Sequence, residues 1–205
     1  MPYSDTPMPA ALASGFPVLV VAARVEEDSA VGRSVDEIRA ALEALGRPVV
    51  LSNSLNDAEA AIESHPALSC VVLGWGMAAA SDEALEQTKR LLGRIRQQAP
   101  SLPVLLGARR GATRQVPLEV VERVEGYIWV PEDSAGFIAG RIDAAAQRYL
   151  DTVLPPFFGK LANFADTHEY SWHTPGHTGG TAFMKTAVGR AFLAFYGEQM
   201  LPQVS

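Results

Sequence analysis

Residues 171–180, SWHTPGHTGG, put a serine, an indole, two imidazoles and three glycines into ten positions. Paired imidazoles ligate zinc, a serine beside a histidine makes a nucleophile, and a glycine-rich turn presents backbone N–H groups to phosphate. Each chemistry needs a scaffold. His173 and His177 stand four apart, but Pro175 and Gly176 between them break the helix that would turn both rings to one side, and no thiol or carboxylate follows at a zinc spacing. Ser171 lies outside any strand-turn-helix elbow. The GHTGG stretch lacks the Lys-Ser/Thr ending of a phosphate loop and does not lead from a strand into a helix. Taken singly, these residues read as a tight turn with local hydrogen bonds; no catalytic, cofactor-binding or metal-binding residue is assigned.

Most of the chain upstream is written as alternating strand and helix. Val-, Leu- and Ile-rich runs occupy 16–24, 47–52, 69–75, 102–109 and 126–131. Between them Val35, Ile38, Leu42 and Leu45 recur at helical spacing before Gly46, and Leu85, Leu92 and Ile95 do so before Pro100. Short helices are expected in NDAEAAIESHP, capped by Asn56 or Asp57, and in PLEVVERV; a last one starts at Asp133 or Ser134 as its cap and runs toward Pro155. This alternation predicts an α/β fold, a flavodoxin-like (receiver-like) five-stranded parallel sheet with helices on both faces.

The pattern resembles the receivers of response regulators, whose chemistry needs acidic residues after the first strand, a phosphorylated aspartate ending the third and a lysine near the end of the fifth. Glu26, Glu27 and Asp28 follow the first strand here. The third strand, however, ends in Gly74 and the fifth in Val130. Without the carboxylate no acyl phosphate forms, and without the lysine no cation reports it. One acidic run supplies too few converging ligands for Mg²⁺. A weaker expectation is an anionic ligand at Arg109 and Arg110, directly after the fourth strand.

After about residue 150 the grammar changes to paired prolines, clustered glycines and dense aromatics. Six of the eight phenylalanines, at 157, 158, 164, 183, 192 and 195, fall in this last quarter. FFGKLANFADT and AVGRAFLAFYGEQM each read as a short amphipathic helix, Val188, Phe192 and Phe195 sharing a face in the second. So much aromatic surface on a sheetless segment needs a partner to cover it. The expected organisation is a tail over 1–15, a receiver-like domain over 16–153 and a linker or dimerisation segment over 154–205.

LPPFF at 154–158, TPGH at 174–177, GG at 179–180, AVGRAF at 187–192 and FYGE at 195–198 together resemble the bacterial inducible ornithine/lysine/arginine decarboxylases, where such a segment joins a receiver-like wing domain to the cofactor domain. The resemblance covers the chain from Phe16. It implies a homo-oligomeric, pyridoxal-phosphate-dependent parent enzyme in which wing domains pack dimers into a higher ring. It also implies that Phe157, Phe158, Trp172, His173, His177, Phe183, Phe192 and Phe195 belong to an interface. The Ser-x-His-Lys stretch that holds the family's cofactor does not occur in these 205 residues, and Lys185 is read as a solvated or interface lysine, so no cofactor is expected on this chain itself. The alternative is a free-standing, non-catalytic assembly or regulatory module.

The net charge of −6 argues against nucleic-acid and anionic-membrane partners, which need a basic face. Cys70, the single cysteine, lies within an apolar run and forms no intrachain disulfide, which fits a cytoplasmic location. Residues 1–15 lack the charged start and apolar stretch of a secretory signal.

Overall fold

A computed structural model of the chain describes residues 16–22, 30–65 and 67–167, with side chains described up to Val153. Five parallel strands, β1 (Val18–Val21), β2 (Val49–Ser52), β3 (Cys70–Gly74), β4 (Val104–Ala108) and β5 (Gly126–Trp129), form one sheet in the order β2-β1-β3-β4-β5. Helices α1 (Ala30–Ala44), α2 (Leu55–Ser64), α3 (Trp75–Ala78), α4 (Asp82–Gln98), α5 (Leu118–Val121) and α6 (Ala135–Thr167) connect or follow them. This is the doubly wound order of the flavodoxin-like fold.

The strands are apolar throughout because both sheet faces are covered. Leu19, Val21, Val71, Leu73, Val104 and Leu106 point to one layer, where Leu55, Ile62, Leu91, Leu92 and Ile95 of α2 and α4 meet them. Val18, Val20, Cys70, Val72, Leu105 and Ile128 point to the other, against Ile38 and Leu42 of α1 and Ile138 and Ile142 of α6. The period-two alternation within each strand therefore sorts one sequence into two separate cores.

Helix ends follow local chemistry. Gly46 (φ 76°) closes α1 in a Schellman motif, with Gly46 N–H donating to the Glu43 carbonyl at 2.9 Å and Arg47 N–H to that of Leu42 at 3.0 Å. Ser81 Oγ accepts from Ala84 N–H at 3.1 Å at the head of α4. Ser134 serves α6, accepting from Phe137 N–H. The cap of α2 differs from expectation: it is Ser54, whose Oγ accepts from Asp57 N–H at 3.0 Å. Ser-x-x-Asp leaves Asp57 to place its charge against the helix's first turn, so Ser54 satisfies the orphan donor that Asn56 and Asp57 cannot reach from inside the helix.

Two further differences concern continuity. The short α3 and a 3₁₀ turn over Arg110–Gln115 lie where only loops are expected. The last helix does not stop at Pro155: its backbone stays helical through Pro155 and Pro156 to Thr167, so the segment FFGKLANFADT belongs to the same helix rather than to a separate one.

Candidate functional site at the carboxyl edge of the sheet

In a doubly wound sheet, ligands bind beyond the carboxyl ends of the strands, near the reversal of strand order between β1 and β3. Here that position is closed by backbone. A Cβ built on Gly74 would stand 3.1 Å from the Val21 carbonyl oxygen and 3.6 Å from the Ala22 Cα. A carboxylate cannot be seated there without moving β1. The next residue, Trp75, turns into the core and is 4 % exposed. At the fifth strand, Val130 is half-buried against the α1–α6 layer, where it offers no charge. The structure thus leaves the receiver shape without the nucleophile or its reporter; Glu26, Glu27 and Asp28 lie outside the described residues.

A cleft of about 330 Å³ opens beside this edge, between Ser34, Glu37 and Ile38 of α1 and the segment from Pro131 to Ala135 with Ile138. Its charged lining residues, Glu37, Glu132 and Asp133, are all acidic, which suits no anionic ligand. Arg110, just after β4, does not supply the missing charge. Arg110 Nη2 donates to Asp133 Oδ1 at 3.2 Å, its backbone N–H donates to Glu132 Oε1 at 3.3 Å, and its guanidinium lies 5.7 Å over the Trp129 ring, which stacks on Tyr127. Arg109 is exposed. Among the described residues no group of three or more His, Cys, Asp or Glu converges on a metal position, and no helix is long and apolar enough to cross a membrane.

Cys70 lies fully buried, and desolvation pushes its thiol far above the ordinary range, which makes it a packing residue. Lys89 is the lysine whose side chain the structure describes. Its Nζ lies 2.8 Å from Glu86 Oε1 and 2.7 Å from Glu119 Oε2, and these hydrogen bonds, Glu119 first, hold the ammonium above its usual pKa. A Schiff base with pyridoxal phosphate needs a neutral amine in a pocket that grips ring and phosphate. Lys89 is a paired cation on the α4–α5 surface, so these residues do not fit that cofactor.

The sequence-derived interface residues divide by position. Phe157 and Phe158 sit on the α6 backbone beyond the last described side chain, whereas Trp172, His173, His177, Phe183, Phe192, Phe195 and Lys185 lie outside the described residues. What the structure adds, and the sequence reading missed, is a buried polar group on the opposite edge. Arg47, 3 % exposed, donates from Nε to Asp143 Oδ1 at 2.6 Å and from Nη2 to Gln147 Oε1 at 2.8 Å. A charged residue directly after the glycine that ends a helix is ordinarily solvated; the signal available in the sequence was only the polar line Asp143, Gln147 and Asp151 on an otherwise apolar helix face.

Comparison with known proteins adds what geometry alone does not. The N-terminal domain of the Orn/Lys/Arg decarboxylases matches residues 30–149, and the major domain of the same enzymes matches 155–203. The biodegradative arginine decarboxylase of Escherichia coli (strain K12) is 36 % identical over 185 residues, covering 89 % of this chain and 24 % of that protein. The solved lysine decarboxylase A from Pseudomonas aeruginosa superposes with a TM-score of 0.63 at 32 % identity, covering 90 % of this chain and 25 % of that one. The E. coli constitutive lysine decarboxylase shares the fold at a TM-score of 0.54 and 24 % identity, with 88 % and 24 % covered. The chain spans about a quarter of the length of these relatives.

Proposed function

Because the chain belongs to the Orn/Lys/Arg decarboxylase family, carrying its N-terminal domain over residues 30–149, we propose that these 205 residues are the wing and linker of a cytoplasmic, pyridoxal-phosphate-dependent decarboxylase of a basic amino acid. Their own work is assembly. The wing packs copies together, the aromatic segment from 154 to 205 pairs them, and decarboxylation is carried by residues outside the span.

The observation that carries this reading is the succession of two family matches in one chain, N-terminal domain then major domain, with both boundaries on α6. Chemistry on the page supports it. The position that would make a receiver a switch is filled by Gly74 against Val21, and Lys89 is committed to two carboxylates. A sheet that keeps the fold without either reactive group is suited to presenting surfaces. The aromatic side chains of the linker, Phe157, Phe158, Trp172, Phe183, Phe192 and Phe195 with His173 and His177, provide the apolar area that a second copy would cover.

The purified chain tests this directly. Mass photometry and sedimentation across a range of concentrations are expected to show self-association, and a chain ending at residue 153 is expected to associate more weakly by at least tenfold in Kd. Incubation with pyridoxal phosphate and borohydride is expected to fix no adduct at a single lysine; a stoichiometric adduct at one lysine overturns the reading. An antibody against residues 16–150 then separates two forms of it in the source cell. A species several-fold heavier than 21.9 kDa makes the wing and the decarboxylase one polypeptide. A species of that mass that co-purifies with an intact decarboxylase makes the chain a separate assembly module.

A further inference from the structure

We propose that Arg47 is a positioning residue that fixes where α6 leaves the sheet, and with it the direction in which the chain departs beyond Val153. Its backbone is held first, because Arg47 N–H closes the Schellman turn of α1 on the Leu42 carbonyl. Its guanidinium then reaches α6, with Nε on Asp143 and Nη2 on Gln147, while Gln147 Nε2 donates onward to Asp151 Oδ1 at 2.8 Å. Asp143, Gln147 and Asp151 are spaced four apart, so one side chain engages one line of α6 over successive turns.

The apolar contacts of α6 are non-directional, whereas the Arg47 hydrogen bonds have a fixed geometry. On either side of Asp143 the helix rests on the sheet through Ile138, Ala139, Ile142, Ala145 and Ala146, whose burial holds it without directional bonds. A buried guanidinium adds direction: moving it off Asp143 and Gln147 gives up two side-chain hydrogen bonds that water does not readily replace there, so the planar fork favours one register of the helix. The next anchor is Leu150, fully buried, with the partly buried Phe16, Tyr149 and Val153 packed against it. From Leu150 the backbone continues as a helix through Thr167, about 26 Å at the usual rise per residue. A tilt of about 10° at the anchor therefore displaces the far end by about 4 Å.

The positioning of α6 stands on these contacts; its consequence for assembly rests on the proposed function. The test uses the full 205-residue chain in a Cys70→Ala background, with spin labels at Glu83→Cys on α4 and Asp166→Cys on α6, diluted in unlabelled chain. Electron–electron resonance is expected to give a narrow distance distribution for the chain with Arg47. Arg47→Met is expected to widen it at least twofold, and Arg47→Lys, which keeps charge without the fork, to widen it by an intermediate amount, with unchanged secondary structure by circular dichroism. A folded Arg47→Met chain with the original width overturns the proposal. Should that variant not fold, Gln147→Ala, which leaves the Arg47–Asp143 pair, is read instead: widening supports the proposal and no change overturns it. Mass photometry of the same samples keeps the two readings apart. A chain that stays monomeric removes the assembly role and leaves the helix result standing, whereas normal assembly with unchanged widths removes the positioning role alone.

Discussion

Single residues decide what this sheet can and cannot do. Gly74 is held to the smallest side chain by its approach to the Val21 carbonyl, a backbone atom that cannot swing away. Gly74→Asp, which restores the carboxylate of a receiver, is expected to destabilise the fold by about 1–3 kcal/mol through overpacking, read as a lower urea midpoint, and to gain no labelling by acetyl phosphate. Cys70 gives a prediction in pH. Burial raises the folded thiol's pKa above its unfolded value near 8.5. The folded chain therefore keeps a proton that the unfolded chain releases, so this contribution is fully present below about pH 8.5 and is lost as pH rises beyond it. Cys70→Ala is expected to flatten the alkaline decline of the urea midpoint, and the native thiol to react with aromatic disulfides only as fast as the chain opens. The absence of a receiver nucleophile was legible from Gly74 alone. The steric closure behind it was not, because it depends on a backbone 52 positions away by register, with Val21 opposite Leu73.

Elements were read well where their signals are local. Five strands are found within the five apolar runs, each shorter than its run, since flanking residues such as Phe16 and Pro48 lie beyond the parallel ladder. Gly46 ends α1 as its type requires, and Ser134 caps α6. Ser54 was readable in principle from Ser-x-x-Asp, and was missed because Asn56 and Asp57 are equally good caps by type. At α4, Ser81 accepts from Ala84 N–H, and Asp82 and Glu83 occupy the first turn with Arg96 in the last, favourable to the helix dipole. Ser81→Ala is expected to cost about 1 kcal/mol, seen in denaturant midpoints, with no change in association. The continuation of α6 through Pro155 and Pro156 was not legible, since two prolines in succession are a stop by every local rule. Pro155→Ala with Pro156→Ala is accordingly expected to strengthen the helix, increasing amide protection around 150–160 in hydrogen exchange.

At the scale of the molecule, a parallel sheet with helices on both faces was legible in the alternation of strand and helix; the order β2-β1-β3-β4-β5 and the sorting of strand residues into two cores came with the structure. The polar clasp of Arg47 on α6 did not, because its partners lie 96 and 100 positions away and only the folded sheet brings them together. The linker residues proposed as an interface lie beyond the described side chains, so that reading rests on their composition. One more arrangement closes the fold: Phe16, two residues before β1, and Val153 on α6 both pack around Leu150. A unit whose entrance and exit touch can be lifted out of a polypeptide, or grafted into another, while the flanking parts remain neighbours. The sheet with its helices is in that sense a cassette, whose first strand and last helix meet at one side chain.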